Sequence, residues 1–420
     1  MKLFSTALVL LLPVFLLGSA FSCSETAVGP EPPSGELPRE LTPTEKLLVE
    51  ADQKFSYELF SRITQQESEQ ENLMISPLSI SMALAMTLNG AEGETYDAMR
   101  EALFLAGLDL EEINSSFQSL RELLLTADSG IEMIIANSIW HADHFAVNPG
   151  FRERITTFYD AEVTGLNFED AASRGVINNW VEQKTNGRID ELVEEIDPDQ
   201  IMFLVNALYF MGDWLREFDP EETYTARFRR EDNTTAEVDM MTQKGLFATY
   251  FNEHVQMIEL PYGDSLFTMT LLLPADPALP LNQFIDAQVK EENLRSWRNS
   301  LSVDMRESTI HLPSFEFEYD IELNEVLKAM GMEIAFDEFS ADFSGLSEAG
   351  QRNIFIDEVM HKTFIRVDEK GTEAAAATSV GMMPTSMPPM IVADRPFVFI
   401  IYERESGANL FMGRVMDPSQ

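Results

Sequence analysis

Five histidines and one cysteine are spread over 420 residues, so the side chains able to do metal or covalent chemistry can be weighed one at a time. His141, Asp143 and His144 have a spacing that could bring two imidazoles and a carboxylate to one metal ion. Chance proximity is the simpler account of so short a segment, and no metal is assigned. The chain has no G-x-S-x-G, no P-loop, no H-E-x-x-H and no glycine-rich dinucleotide turn, so an enzyme is not expected, and neither is a cofactor. Ser76 and Ser79 flank the start of a helical stretch, where a hydroxyl can accept from free backbone N–H groups. Asn206 stands alone in the apolar run IMFLVNALYF, and His361 lies in VMHKTF. Buried polar groups of this kind need partners or cost a few kcal/mol. Trp214, just after the apolar run, reads as core packing.

The most unusual stretch is 369–389, EKGTEAAAATSVGMMPTSMPP. It has small residues, one glycine near its start and three prolines near its end. Read as a strand, it has two faces. Thr372, Ala374, Ala376, Thr378, Val380 and Met382 form one without any ionised group. Glu373, Ala375, Ala377, Ser379, Gly381 and Met383 form the other, with its only charge at one end. Three readings are open on local grounds: an alanine-rich helix cut short by Thr378, Val380, Gly381 and the prolines; a flexible linker; and a loop that can become a strand. Strand-like runs on both sides, FIRV at 364–367 and PFVFIIY at 396–402, are left unexplained by a linker.

The elements that must position these residues follow from composition and periodicity. A chain with 45% hydrophobic residues can bury one large core or two smaller ones. Against 29 basic residues stand 71 acidic ones, a net charge of −42, which repels nucleic acid and anionic membrane surfaces as partners. Helical spacing marks 80–87, 96–105, 111–125 and 172–182. Strand patterns follow at 201–210, 255–260, 267–273, 308–317, 364–367 and 397–402. The first of these is apolar on both faces apart from Asn206 and reads as a central strand covered above and below. Interleaving without a regular βαβ repeat predicts an α+β fold. At the N-terminus, Lys2 precedes an apolar run at 3–17, shorter than a membrane span, and residues 1–22 read as a signal peptide. Ala20-Phe21-Ser22-Cys23 is similar to a bacterial lipobox, so Cys23 is expected to carry lipid and the protein to leave the cytoplasm. It would then be anchored to the cell envelope or secreted. Residues 23–43, rich in Pro, Gly and Glu, are expected to form a disordered tether, and a single domain is expected over 44–420.

Residues 369–389 and their flanks resemble the reactive-centre loop of the serpins. Asp368 and the run Glu369, Lys370, Gly371, Thr372, Glu373, Ala374, Ala375, Ala376, Ala377 and Thr378 are similar to that family's hinge, and RPFVFIIYERESGANLFMGRV to its C-terminal hairpin. Residues 136–192 resemble its strand, helix and turn crossing the main sheet, and the likeness spans about 51–418. The resemblance implies the serpin fold, a large mixed sheet with helices packed around it and further sheets. It implies a shutter made by Ser76, Ser79, Asn206 and His361, and a breach at Trp214. Counting seventeen from Glu369 in the family's spacing puts the reactive bond at Thr385-Ser386. The implied function is inhibition of a serine protease, the covalent partner of a monomer. The acyl-enzyme is trapped as the cut loop enters the sheet. Thr385 behind Pro384 points to elastase-like or subtilisin-like targets. Heparin-like cofactors, which some members use, would meet the repulsion of the −42 charge. A non-inhibitory serpin with a binding or structural role is the alternative, and a carrier for a small ligand is a third reading.

Overall fold

The computed structural model describes residues 35–68, 70–301, 305–352, 354–372 and 389–420. Helices crowd the first part: α1 (Pro43–Gln66), then, after the short β1 (Leu73–Ile75), α2 (Pro77–Leu88), α3 (Gly93–Ala102) and α4 (Leu110–Thr126). Next come β2 (Ile131–Ala142), α5 (Pro149–Tyr159), β3 (Glu162–Leu166), α6 (Ala172–Lys184) and β4 (Met202–Asp213). Strands β5 (Tyr224–Arg229), β6 (Thr235–Phe251), β7 (Val255–Pro261) and β8 (Phe267–Pro274) lead to α7 (Leu281–Gln288) and α8 (Glu291–Leu301). The chain then runs through β9 (Met305–Pro313), β10 (Phe315–Glu322), α9 (Asn324–Leu327), β11 (Met360–Val367) and β12 (Gly371–Thr372). It ends with β13 (Met390–Val392), β14 (Phe397–Glu403) and β15 (Asn409–Val415).

The start of α1 shows how local sequence sets an element. Glu45 N–H donates to the Thr42 hydroxyl at 3.2 Å, and Thr42 N–H donates back to the Glu45 carboxylate at 2.6 Å. This reciprocal cap, with Pro43 at the first helical position, satisfies donors that a helix N-terminus leaves free. Ordered contacts begin ahead of residue 44: Arg39 pairs with the same Glu45 at 2.5 Å and reaches Ser119 at 2.6 Å.

Three sheets carry the rest. One has the order β1-β15-β14-β8-β7-β6-β9-β13, with β5 added on β6; a second is β12-β4-β2-β3; the third is β10-β11. Parallel pairs (β2·β3, β13·β9) and antiparallel pairs are mixed, and the fold is α+β as expected. The main core joins α1 and α2 to the inner faces of β8, β14 and β15, where Phe55, Met86, Leu271, Phe399 and Met412 have no exposed surface. A second cluster of Trp140, Ile177, Trp180, Val181 and Val205 holds α6 on the other face of β2 and β4.

Two strand expectations change. The run 308–317 is two strands, because β9 turns at Ser314 from pairing with β6 to let β10 pair with β11; Pro313, without an N–H, sits at the break. Strand β4 is paired along one edge with β2, from Ile131 opposite Gly212 to His141 opposite Met202. Its other edge, among the described residues, pairs with the two residues of β12. It lies inside its sheet, between β12 and β2, but its faces are not fully covered, since several of its side chains are half-exposed.

Candidate functional site

The hinge is a tight turn locked onto the end of β4. Lys370 N–H donates to the Asp368 carboxylate at 3.0 Å, and Asp368 N–H to the Gly371 carbonyl at 3.1 Å. Trp214 N–H donates to the Lys370 carbonyl at 2.8 Å, its indole N–H to the Asp368 carbonyl at 3.0 Å, and Phe218 N–H to the Glu369 carbonyl at 2.7 Å. Thr223 donates its hydroxyl to the Glu369 carboxylate at 2.7 Å. Trp214 is itself clamped on Tyr262, ring centroids 4.3 Å apart and planes within 14°. Gly371 has φ +143°, and a Cβ there would strike the Gly212 carbonyl and come within 2.7 Å of Trp214 N. Only glycine suits that backbone. Trp214 and Glu369 thus lie together at the end of β4.

Below the hinge the sheet is parted. Strand β11 pairs with β10 from Val367 opposite Phe315 to Met360 opposite Glu322. Among the described residues it forms no ladder with β4, so two strand edges face each other. Between them, at the starts of both strands, lies a cavity of about 320 Å³ lined by residues including Ser79, Met202, Asn206, Met360 and His361. Higher up, Leu208 to Met211 face Phe364 and Arg366 across a smaller void of about 30 Å³. Unpaired edges are unfavourable and invite a further strand. The segment after α6 bridges the two halves: Arg188 lies over the Phe364 ring at 5.5 Å, and Lys362 Nζ donates to the Glu191 carbonyl at 3.1 Å.

The four shutter residues are brought together at the start of α2, in two separate halves. Ser79 donates to the Asn206 side-chain oxygen. Asn206 donates to Asn137 Oδ1 at 2.5 Å, and Asn137 to the Tyr159 carbonyl at 2.8 Å. On the β11 side, Ser76 N–H donates to His361 Nε2 at 3.0 Å, and Thr363 donates to the Met74 carbonyl at 2.8 Å. Capping, the simpler of the two roles open to these serines, is not what the structure shows: neither hydroxyl bonds the helix start, and Ser76 Oγ is buried without a partner. Each serine instead ties α2 to one half of the sheet, Ser79 through its hydroxyl and Ser76 through its backbone. Asn137 was missed by sequence reasoning. Its signal was a lone buried amide in the apolar run IIANSIW, parallel to Asn206 in its own strand.

His361 is buried, and desolvation pushes its pKa down from 6.5 to about 4. A ring nitrogen that accepts from Ser76 N–H must be unprotonated, which agrees with that direction. The unfolded chain takes up a proton that the folded one refuses, so this contribution to stability is complete above pH 6.5 and is lost as pH falls toward 4. Its size is on the order of 3 kcal/mol. Asp52, buried on α1 with Ser81 as its donor, is pushed up to about 7 and acts in the opposite sense over about pH 4 to 7. The difference between wild type and His361→Gln isolates the histidine. Urea midpoints of the wild type should fall relative to the variant between pH 6.5 and 4.5; parallel curves would contradict this assignment.

Other sequence candidates lie elsewhere. His141 is buried on β2, its Nδ1 2.9 Å from the Ala142 carbonyl and its Nε2 3.3 Å from Arg152. Asp143 and His144 are exposed and 3.9 Å apart. Hinge residues Glu373, Ala374, Ala375, Ala376, Ala377 and Thr378, the bond Thr385-Ser386 and Cys23 lie outside the described residues.

A sequence model of the serpins (serine protease inhibitors) matches residues 50–418. Neuroserpin of Homo sapiens is 34% identical over 388 residues, covering 88% of this chain and 91% of the relative. Leukocyte elastase inhibitor of Bos taurus is 36% identical, covering 88% and 99%. Among solved structures, the native thermophilic serpin tengpin superposes with a TM-score of 0.79 at 31% identity, covering 90% of this chain and 95% of its own. Human thyroxine-binding globulin complexed with thyroxine superposes with a TM-score of 0.81 at 29% identity, covering 90% and 100%. With the family model running through residues 50–418 and relatives of 34% and 36% identity covering 88% of its length, the chain belongs to the serpin family.

Proposed function

We propose that this serpin is a suicide inhibitor of serine proteases and that the parted sheet receives its own reactive loop after cleavage. The observation that carries this reading is the pair of open edges on β4 and β11, with Gly371 and Thr372 already paired to the upper end of β4. Gly371 lies opposite Asp213 and Thr372 opposite Gly212. Continued without a slip, the same register sets Ala374 opposite Phe210, Ala376 opposite Leu208, Thr378 opposite Asn206 and Val380 opposite Leu204. Directly opposed residues share a face. Phe210, Leu208 and Leu204 pack toward the main core, and Asn206 toward α2. The uncharged face of the loop is therefore the one that would enter the core, which costs no buried charge.

In the proposed reaction the protease's serine attacks the Thr385 carbonyl, the Thr385-Ser386 bond breaks, and the new amino terminus of Ser386 departs. The acylated end then travels with the inserting strand, about 45 Å for 14 residues. No Lys or Arg lies between Lys370 and Arg395, which favours elastase-like or subtilisin-like targets over trypsin-like ones. One relative's name, leukocyte elastase inhibitor, is in line with that class. Thyroxine-binding globulin, whose structure holds thyroxine, shows that the fold alone does not decide function. The hinge sequence favours the inhibitory reading: from Gly371 to Thr378 it has no proline and no aromatic or branched aliphatic side chain. We further propose that Cys23 carries lipid, that the protein is exported to the cell envelope, and that it acts as a monomer. Incubation of the chain with an elastase-like protease should give a covalent complex that survives boiling in SDS. Cleaved protein alone, with the protease still active, would contradict inhibition.

A further inference from the structure

The cavity at the starts of β4 and β11 is built as a binding site in its own right. Its volume of about 320 Å³ suits a small ligand. Its walls are apolar, formed by Ile80 and Leu84 on α2, Leu204 on β4, and Phe343, Leu346 and Ile356 from the segment between α9 and β11. The two ends differ in chemistry. Ser79, Asn206 and His361 stand at the inner end. Ser79 and Asn206 use their hydrogen bonds on each other and on Asn137. His361 is different: with Nε2 accepting from Ser76 N–H, its hydrogen is on Nδ1, and that donor has no partner among the described residues. A buried donor without an acceptor is unfavourable, so this end suits a ligand that brings one.

The mouth is acidic. Asp197 and Asp199 reach it from the connection into β4, and Asp357 and Glu358 from the approach to β11. All four are exposed, Gln200 donates to the Asp357 carboxylate at 3.0 Å across the gap, and no Lys or Arg is among the lining residues. Burial, with the charges of Glu322, Asp357 and Glu194, raises the pKa of Glu358, and a cation placed there offsets that repulsion. Four residues separate Asp357 from His361 (361 − 357 = 4), at most about 14 Å of chain, which sets the length of an occupant that touches both ends. We infer that the cavity is a site for a slender amphipathic amine, with its hydrocarbon body between β4 and β11, an acceptor on His361 Nδ1 and its ammonium among the four carboxylates. An acidic mouth alone gathers counterions without selecting among them; the apolar walls and the unanswered imidazole donor supply the selection. The inference is independent of the inhibitory reading, since every residue it uses belongs to the intact fold.

The test is calorimetric titration of the full chain with aminooctanol, its amine and hydroxyl at opposite ends of the carbon chain. Binding should saturate at one molecule per chain. The matching octanediol, which has no charge, and hydroxyoctanoate, whose charge is reversed, should bind at least about tenfold more weakly. Octylamine, which has no hydroxyl for His361, should bind at least about threefold more weakly. Asp357→Asn with Glu358→Gln should weaken aminooctanol at least about fivefold. Glu253→Gln with Glu292→Gln, an equal charge change at exposed positions that do not line the cavity, should leave it within about twofold. Ala83→Phe, which fills the cavity from α2, should abolish binding; its melting curve checks that it folds, and the surface charge pairs decide the matter where it does not. In nitrogen-15 spectra the His361 Nδ1–H signal should move on saturation with aminooctanol and stay in place with octylamine. Equal affinities for aminooctanol and the diol, equal weakening by the two charge pairs, or uptake of several amines per chain that a folded Ala83→Phe leaves unchanged would overturn the inference.

Discussion

Ala374→Pro is expected to change the protein from an inhibitor into a substrate, with the SDS-stable complex lost and cleaved protein accumulating at least about tenfold per protease consumed. The ladder at the hinge gives the reason. Trp214 N–H bonds the Lys370 carbonyl, and Gly371 and Thr372 lie opposite Asp213 and Gly212. Bonded pairs alternate along an antiparallel ladder, so positions 370, 372 and 374 of the loop would bond to β4. Proline at 374 removes the donor meant for the Phe210 carbonyl and restricts φ, at about 3 kcal/mol or more. Carried into the barrier for insertion, that slows it about a hundredfold, long enough for the acyl-enzyme to hydrolyse. Ala374→Ser keeps the N–H and should leave inhibition within about threefold. Stoichiometry titrations against an elastase-like protease check both variants; an unchanged stoichiometry for the proline variant would refute insertion.

Thr385→Arg should redirect the protein toward trypsin, raising the association rate with trypsin by at least about a hundredfold and lowering that with an elastase-like enzyme. The reason is the chemistry of the protease's pocket, because a trypsin-like site holds a guanidinium against a buried carboxylate and gains little from a threonine. N-terminal sequencing of the released fragment should begin at Ser386. A fragment beginning at Met383 or Pro388 would show that the cut falls after Met382 or Met387, and that the register counted from Glu369 is shifted.

At the hinge, local sequence left helix, linker and strand-forming loop open, and only the family resemblance chose among them; the structure bears on Gly371, whose rare backbone conformation suits glycine alone, while residues 373–378 lie outside the described residues. Trp214, Asn206 and His361 were legible as polar or aromatic interruptions of apolar runs. What they bond to was not, since the partners lie in other elements: Asn137 on β2 for Asn206, Ser76 N–H for His361. Capping, the alternative open to Ser76 and Ser79, does not occur: the Ser79 hydroxyl turns to Asn206, and that of Ser76 bonds no backbone N–H. Strand β6, at 17 residues, was missed. It passes from β9 and β5 to β7 as it runs, so no single alternation of apolar residues describes it. The parting of β4 from β11 leaves no mark in either strand's composition, because an edge is a property of neighbours.

The most direct test is thermal melting of the intact protein against the same protein nicked once at Thr385-Ser386 by a protease that does not stay bound. A strand added along β4 and β11 gains bonds on both sides at about 1 kcal/mol each, on the order of 10 kcal/mol in all. The nicked form should therefore melt about 10 °C or more higher, with amide exchange in β4 and β11 slowed. Equal melting temperatures, with exchange in both strands unchanged, would contradict the account.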